Sequence, residues 1–244
     1  MKTILAIGNS FSEDATTYLH DMAASAGVET KTVNLYIGAC TLGAHARNIE
    51  TDAKAYRYDL NGVPTQRMVS IREALEEGPW DIVTIQQASH KSGIADSYEP
   101  GGTAVIECVG RCAPGAKLYF HKTWAYPAGS AYPAFAKYYH SSCEEMARAI
   151  TEASAEFCRR HSLPVIPVGD VIEALRPLPC FSGHGENGLW RDDLHLSFHY
   201  GRDAAAAVWM QTLLGRSADD APFRPEGARE DKLAVIRNVI RATL

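Results

Sequence analysis

Short apolar runs alternate with helix-like stretches along most of this chain, and that alternation leaves few ways to fold. Strands are expected at 2–7, 29–37, 81–85, 117–121 and 163–168. Helices are expected at 15–26, 44–53, 69–77, 104–112, 142–160, 170–175, 200–214 and 232–244. Strands joined by helical crossovers pair in parallel, with helices covering both faces of the sheet. The expected fold is an α/β three-layer α/β/α sandwich with a flavodoxin-like parallel five-stranded sheet. The 244 residues suit one such domain, 1–244, and no linker or repeat interrupts them.

Three places depart from the plain alternation. Asn61-Gly62, between short strand-like pieces, is a hairpin signal and reads as an excursion beside the sheet. Pro164 and Pro167 put the last strand at an edge, because proline cannot donate to a ladder. A long polar loop, 86–102, follows the third strand, and such loops often carry binding residues.

The first strand stops at Gly8-Asn9-Ser10, just ahead of a helix. In open α/β sheets ligands bind at the carboxyl ends of the strands, where the winding reverses. The ends of strands one and three flank that point in a flavodoxin-like order. A helix N-terminus there favours developing negative charge. Ser10 is thus a candidate nucleophile, although an N-cap serine looks the same, and Ser12 competes for the cap. A hydroxyl becomes a useful nucleophile only beside a base, which is itself held by a carboxylate. Of nine histidines, His195 stands out: it closes a glycine-rich stretch, precedes a helix and follows Asp192 by three residues. Asp193 is expected to point elsewhere, and His121, His184 and His199 read as structural.

The order of these features along the chain resembles the SGNH (GDSL-like) hydrolase family. Gly8-Asn9-Ser10 matches its Gly-Asp-Ser block, and Gly38 in Ile-Gly-Ala-Cys-Thr matches its oxyanion-hole glycine. Asp192-Asp-Leu-His195 matches its Asp-x-x-His block. The third block departs from the family's Gly-x-Asn-Asp: here the stretch is Gln86-Gln-Ala-Ser-His90. That looks closer to a branch with a Gln-rich third block and a Thr-Trp-Ala-Tyr segment after strand four. The resemblance implies a catalytic set of Ser10, Asp192 and His195. It also implies an oxyanion hole from the N–H groups of Ser10 and Gly38 with a side-chain donor among Gln86, Gln87 and Ser89. The implied reaction is hydrolysis of small acyl esters through an acyl-enzyme, with no metal and no organic cofactor. An acetyl group on carbohydrate is the first substrate suggested.

Trp124 and Tyr126, after strand four, and His90 are candidate substrate contacts. Two other readings compete. Asp192, Asp193, His195 and His199 could ligate a metal in a metal-dependent hydrolase. The hydroxyl-rich first turn could instead serve a non-catalytic flavodoxin-like binding module, though no dinucleotide or P-loop spacing is present.

The formal charge of −5 leaves no footprint for nucleic acid and no basic helix for an anionic membrane. The apolar run behind Lys2 is too short for a signal-peptide core, which points to the cytoplasm. Six cysteines without a CxxC pair then read as free thiols, with Cys108 and Cys112 as neighbours on a helix. Oligomeric state is not legible.

Overall fold

The computed structural model describes residues 1–183 and 185–244, so the expectation for His184 lies outside the described residues. β1 (Lys2–Gly8) is the middle strand of the sheet. β2 (Thr30–Tyr36) pairs with it in parallel on one side and β5 (Ile82–Ile85) on the other. β6 (Lys117–His121) and the two-residue β7 (Val165–Ile166) continue the parallel set beyond β5. The parallel order is thus β2-β1-β5-β6-β7, the doubly wound arrangement expected from the alternation.

The sheet is wider than five strands. β3 (Tyr56–Leu60) and β4 (Val63–Val69) form the Asn61-Gly62 hairpin, and β3 pairs antiparallel with β2. The hairpin therefore extends the sheet to seven strands instead of lying beside it. Asn61 and Gly62 both have positive φ, 51° and 80°, as a tight hairpin turn with the sheet's twist requires.

The alternating side chains of β1 face two cores. Ile4 and Ala6 join the layer built with α1 (Ser10–Thr16), α2 (Leu19–Ser25), α8 (Val168–Leu175), α9 (Gly201–Leu214) and α10 (Glu230–Thr243). Leu5 and Ile7 join the layer built with α3 (Leu42–Glu50), α4 (Ile71–Glu76) and α5 (Gly101–Cys112). α6 (Pro133–Tyr139) lies between the expected strand 117–121 and helix 142–160, and α7 (Cys143–His161) contributes to both cores. The run Ala204–Ala207 of α9 is wholly buried, and the amphipathic α10 packs against α8 and α9. Two ion-pair bonds, from Arg237 to Asp203 at 2.5 and 2.9 Å, join α10 to α9 inside this layer. All six cysteines are free thiols. Among the described residues no helix is long and apolar enough to cross a membrane.

Candidate active site

The first helix begins earlier than its apolar pattern suggests, at Ser10, because Asn9 caps it. Asn9 Oδ1 accepts the Phe11 N–H at 2.9 Å. Ser12 completes a capping box: its hydroxyl oxygen accepts the Asn9 N–H at 3.0 Å. The Ser12 side chain also bonds Asn34 at 2.6 Å and is wholly buried. The two serines thus divide the roles, with Ser12 as the structural partner and Ser10 left partly open. Gly8 is required for that packing, since a Cβ there would collide with the Ser12 side chain.

His195 reaches this turn from the other end of the chain. Its Nε2 lies 2.9 Å from Ser10 Oγ, and its Nδ1 lies 2.9 and 3.1 Å from the two carboxylate oxygens of Asp192. A carboxylate only accepts, so Nδ1 carries the proton and Nε2 is free to accept from the Ser10 hydroxyl. Asp192 Oδ1 also accepts the N–H groups of Leu194 and His195, at 2.9 and 2.7 Å. Partial burial pushes the Asp192 carboxyl upward, but those N–H groups and the imidazole outweigh it and hold it below its ordinary value.

The remaining site residues sort by their bonds. Gln86 and Gln87 are both buried, but they point to different partners. Gln86 donates to Asn9 Oδ1 at 2.8 Å, and its Oε1 accepts from His121 Nδ1 at 2.7 Å. The Phe11 N–H and the Cys40 carbonyl fix which way the Asn9 amide faces. That fixes the Gln86 amide, and with it the His121 tautomer. Burial pushes the His121 imidazole down to about 3, so it stays neutral and donates. His121 is structural, as expected, but what it supports is the site.

Gln87 is a correction to the expected oxyanion set. Its amide donates to the carbonyl and hydroxyl of Ser97 at 2.8 and 3.1 Å, and its Oε1 accepts from Leu42 and Ala88. Both amide N–H groups of Gln87 are spent on Ser97, so the side chain holds α3 and the long loop, whereas Gln86 spends one of its two N–H groups, on Asn9. The Ser89 hydroxyl pairs with the Tyr126 hydroxyl at 2.9 Å.

Gly38 sits in a turn closed by Cys40 N–H to Ile37 O at 3.2 Å. The left-handed residue there is Ala39, φ 54°, and not the glycine. Gly38 is exposed, and neither its N–H nor that of Ser10 bonds to another described residue. Asn9 Nδ2 donates to Cys40 O at 3.2 Å and so ties this turn to the Ser10 turn.

Trp124 and Tyr126 also require correction. Both are wholly buried, so neither forms an open substrate wall. Trp124 stacks on Phe11 with ring centroids 4.1 Å apart, and its indole N–H donates to Leu194 O at 3.0 Å. His90 is half-buried; its Nδ1 has no partner among the described residues, and burial with the neighbouring Lys91 lowers its pKa.

The four residues of the metal alternative do not converge. His199 Nδ1 bonds the Glu186 carbonyl at 3.1 Å, and among the described residues no group of three or more His, Cys, Asp or Glu is placed to hold a metal ion. Cys40 lies 3.5 Å from His45 Nδ1, but burial pushes its thiol up to about 11 and His45 down to about 3, so this pair supplies no thiolate.

Sequence reading missed Asp14, Arg191 and Arg202. Asp14 looks like a solvated helix-start acid, yet it is wholly buried and bonds both arginines. Its partners lie 177 and 188 residues away, beyond any local signal.

Residues 3–242 match the family described as a domain of unknown function, DUF4886. A solved DUF4886 family protein from Bacteroides uniformis superposes with a TM-score of 0.91 at 31% identity, over 99% of this chain and 93% of that one. A candidate SGNH hydrolase from Slackia heliotrinireducens superposes with a TM-score of 0.60 at 22% identity, over 87% of this chain and 98% of that one. A carbohydrate esterase of family 3 from Talaromyces cellulolyticus gives 0.54 at 14% identity, over 88% and 97%. A comparison with curated protein sequences gives no match.

Proposed function

The chain belongs to the DUF4886 family and carries the SGNH-hydrolase fold, and from that premise we propose that it is a serine esterase working through an acyl-enzyme on Ser10. The observation that carries this reading is His195 bonded at once to Ser10 and to Asp192. Ser10 Oγ attacks the ester carbonyl as its proton passes to His195 Nε2, and Asp192 stabilises the imidazolium. The tetrahedral oxyanion is received by the N–H groups of Ser10 and Gly38, which have no acceptor among the described residues. Gln86 is the one of the three side-chain candidates bonded to the nucleophile's turn, and we assign it the third donor. The C–O bond to the alcohol then breaks, and the alcohol leaves with the proton from His195. Water attacks the acyl-enzyme, giving its proton to the same nitrogen, and the acid departs as Ser10 regains a proton.

The substrate class assigned is a small acyl ester, with acetylated carbohydrate as the first member to test. A fluorophosphonate should label the protein at Ser10, and Ser10→Ala should abolish both labelling and hydrolysis of p-nitrophenyl acetate while leaving the fold intact. Turnover retained in Ser10→Ala overturns the reading.

A further inference from the structure

We propose that Asp14 is a positioning residue that clamps the His195 loop onto the helix carrying Ser10. This rests on the triad reading above. Asp14 stands four residues after Ser10 on α1, so the two share a face of that helix. Its carboxylate is wholly buried and fully bonded. Oδ2 accepts the Leu196 N–H at 2.9 Å, and Oδ1 accepts Arg191 Nη1 at 2.8 Å. Leu196 directly follows His195, and Arg191 directly precedes Asp192. One side chain on α1 therefore holds both ends of the short segment that carries base and orienter.

The segment is also closed on itself. The Arg191 N–H donates to His195 O at 3.0 Å, the Arg191 guanidinium bonds Leu196 O, and Trp190 and Leu196 form an antiparallel bridge. Held this way, it behaves as a small rigid unit whose placement depends on what grips it. Arg202 of α9 adds a second guanidinium to Asp14 Oδ1 at 2.8 Å. Charge-assisted bonds of this kind are short and directional, and a buried carboxylate cannot drift without losing them. A hydroxyl–imidazole contact tolerates little error, so a clamp anchored one helical turn from the nucleophile has a direct effect on rate. The Asp203–Arg237 pair is as deeply buried and joins α9 to α10; Asp203 directly follows Arg202, but the pair bonds neither Asp14 nor the 190–196 segment, and so serves as the control.

The test compares Asp14→Asn, Arg191→Gln and Arg237→Gln in the full-length protein. Each is measured for Tm, for the second-order rate of fluorophosphonate labelling at Ser10, and for kcat and KM on p-nitrophenyl acetate. Asp14→Asn should lower labelling and kcat by about 10- to 100-fold, with KM within about threefold of wild type. Arg191→Gln should show a smaller loss of the same kind. Arg237→Gln should lower Tm while labelling at the wild-type rate. If Asp14→Asn does not fold, the contrast between Arg191→Gln and Arg237→Gln decides. Folded Asp14→Asn and Arg191→Gln proteins that label at the wild-type rate overturn the clamp and leave the triad standing. Wild-type protein that is not labelled at Ser10 overturns both.

Discussion

The side chain of Gln86 donates to Asn9 at 2.8 Å, joining the end of β5 to the turn that ends β1. This bond lies where the winding of the sheet reverses. It is one link in a buried run from His121 through Gln86 and Asn9 to the Cys40 carbonyl. The run ties the ends of β1, β5 and β6 and the turn after β2 together around Ser10, and each member's orientation depends on the next.

Gln86→Ala should lower kcat by about 100- to 1,000-fold, the usual cost of losing one oxyanion donor. Gln87→Ala should leave kcat largely unchanged and lower Tm, because its bonds hold the long loop and α3. Equal losses of kcat in the two variants would contradict the assignment.

Asp192→Asn should reduce kcat by about 10⁴-fold, as expected when an orienting carboxylate becomes an amide that no longer fixes the tautomer. The pH dependence follows from the depressed Asp192 pKa. Its bonds contribute stability above the ordinary carboxylate value of about 3.9 and lose it only as pH falls through the lower folded value. Asp192 therefore stays ionised throughout the neutral range. The acid limb of kcat/KM in wild type should fit one ionisation; a two-proton limb would count against this.

Ser12→Ala should destabilise the protein by about 1–3 kcal/mol, since it strips partners from two buried polar groups, the Asn9 N–H and the Asn34 amide. Esterase turnover per folded molecule should persist. Chemical denaturation alongside the p-nitrophenyl acetate assay separates the two effects.

Trp124→Phe keeps an aromatic ring against Phe11 but removes the indole N–H from Leu194 O. The expected outcome is a lower kcat with acyl-chain preference unchanged, measured across a series of p-nitrophenyl esters. A shift in chain-length preference would restore Trp124 as a substrate contact.

Ala39→Gly should raise stability by about 0.5–1 kcal/mol, because Ala39 holds a left-handed φ of 54° that costs a side-chain-bearing residue more than glycine. Urea melts of the two proteins measure it directly.

Much of this architecture is local and so was readable from residue order. Apolar runs and helical periodicity depend on neighbours a few positions away, and they specified the parallel order and the turn bearing Ser10. The Asp-x-x-His spacing likewise placed Asp192 beside His195, because three residues of turn suffice to bring them together. Tertiary structure decided what depends on distant partners. The Asn61-Gly62 turn was legible, but only pairing with β2 made the hairpin part of the sheet. Gln86 and Gln87 are chemically identical neighbours; one meets Asn9 and His121, the other Ser97 and Leu42. Trp124 and Tyr126 lie at a strand end, where exposure is set by what packs over them, and they are buried. Asp14 shows the limit most clearly: a carboxylate in the first helix acquires its partners only when the far end of the chain folds back upon it.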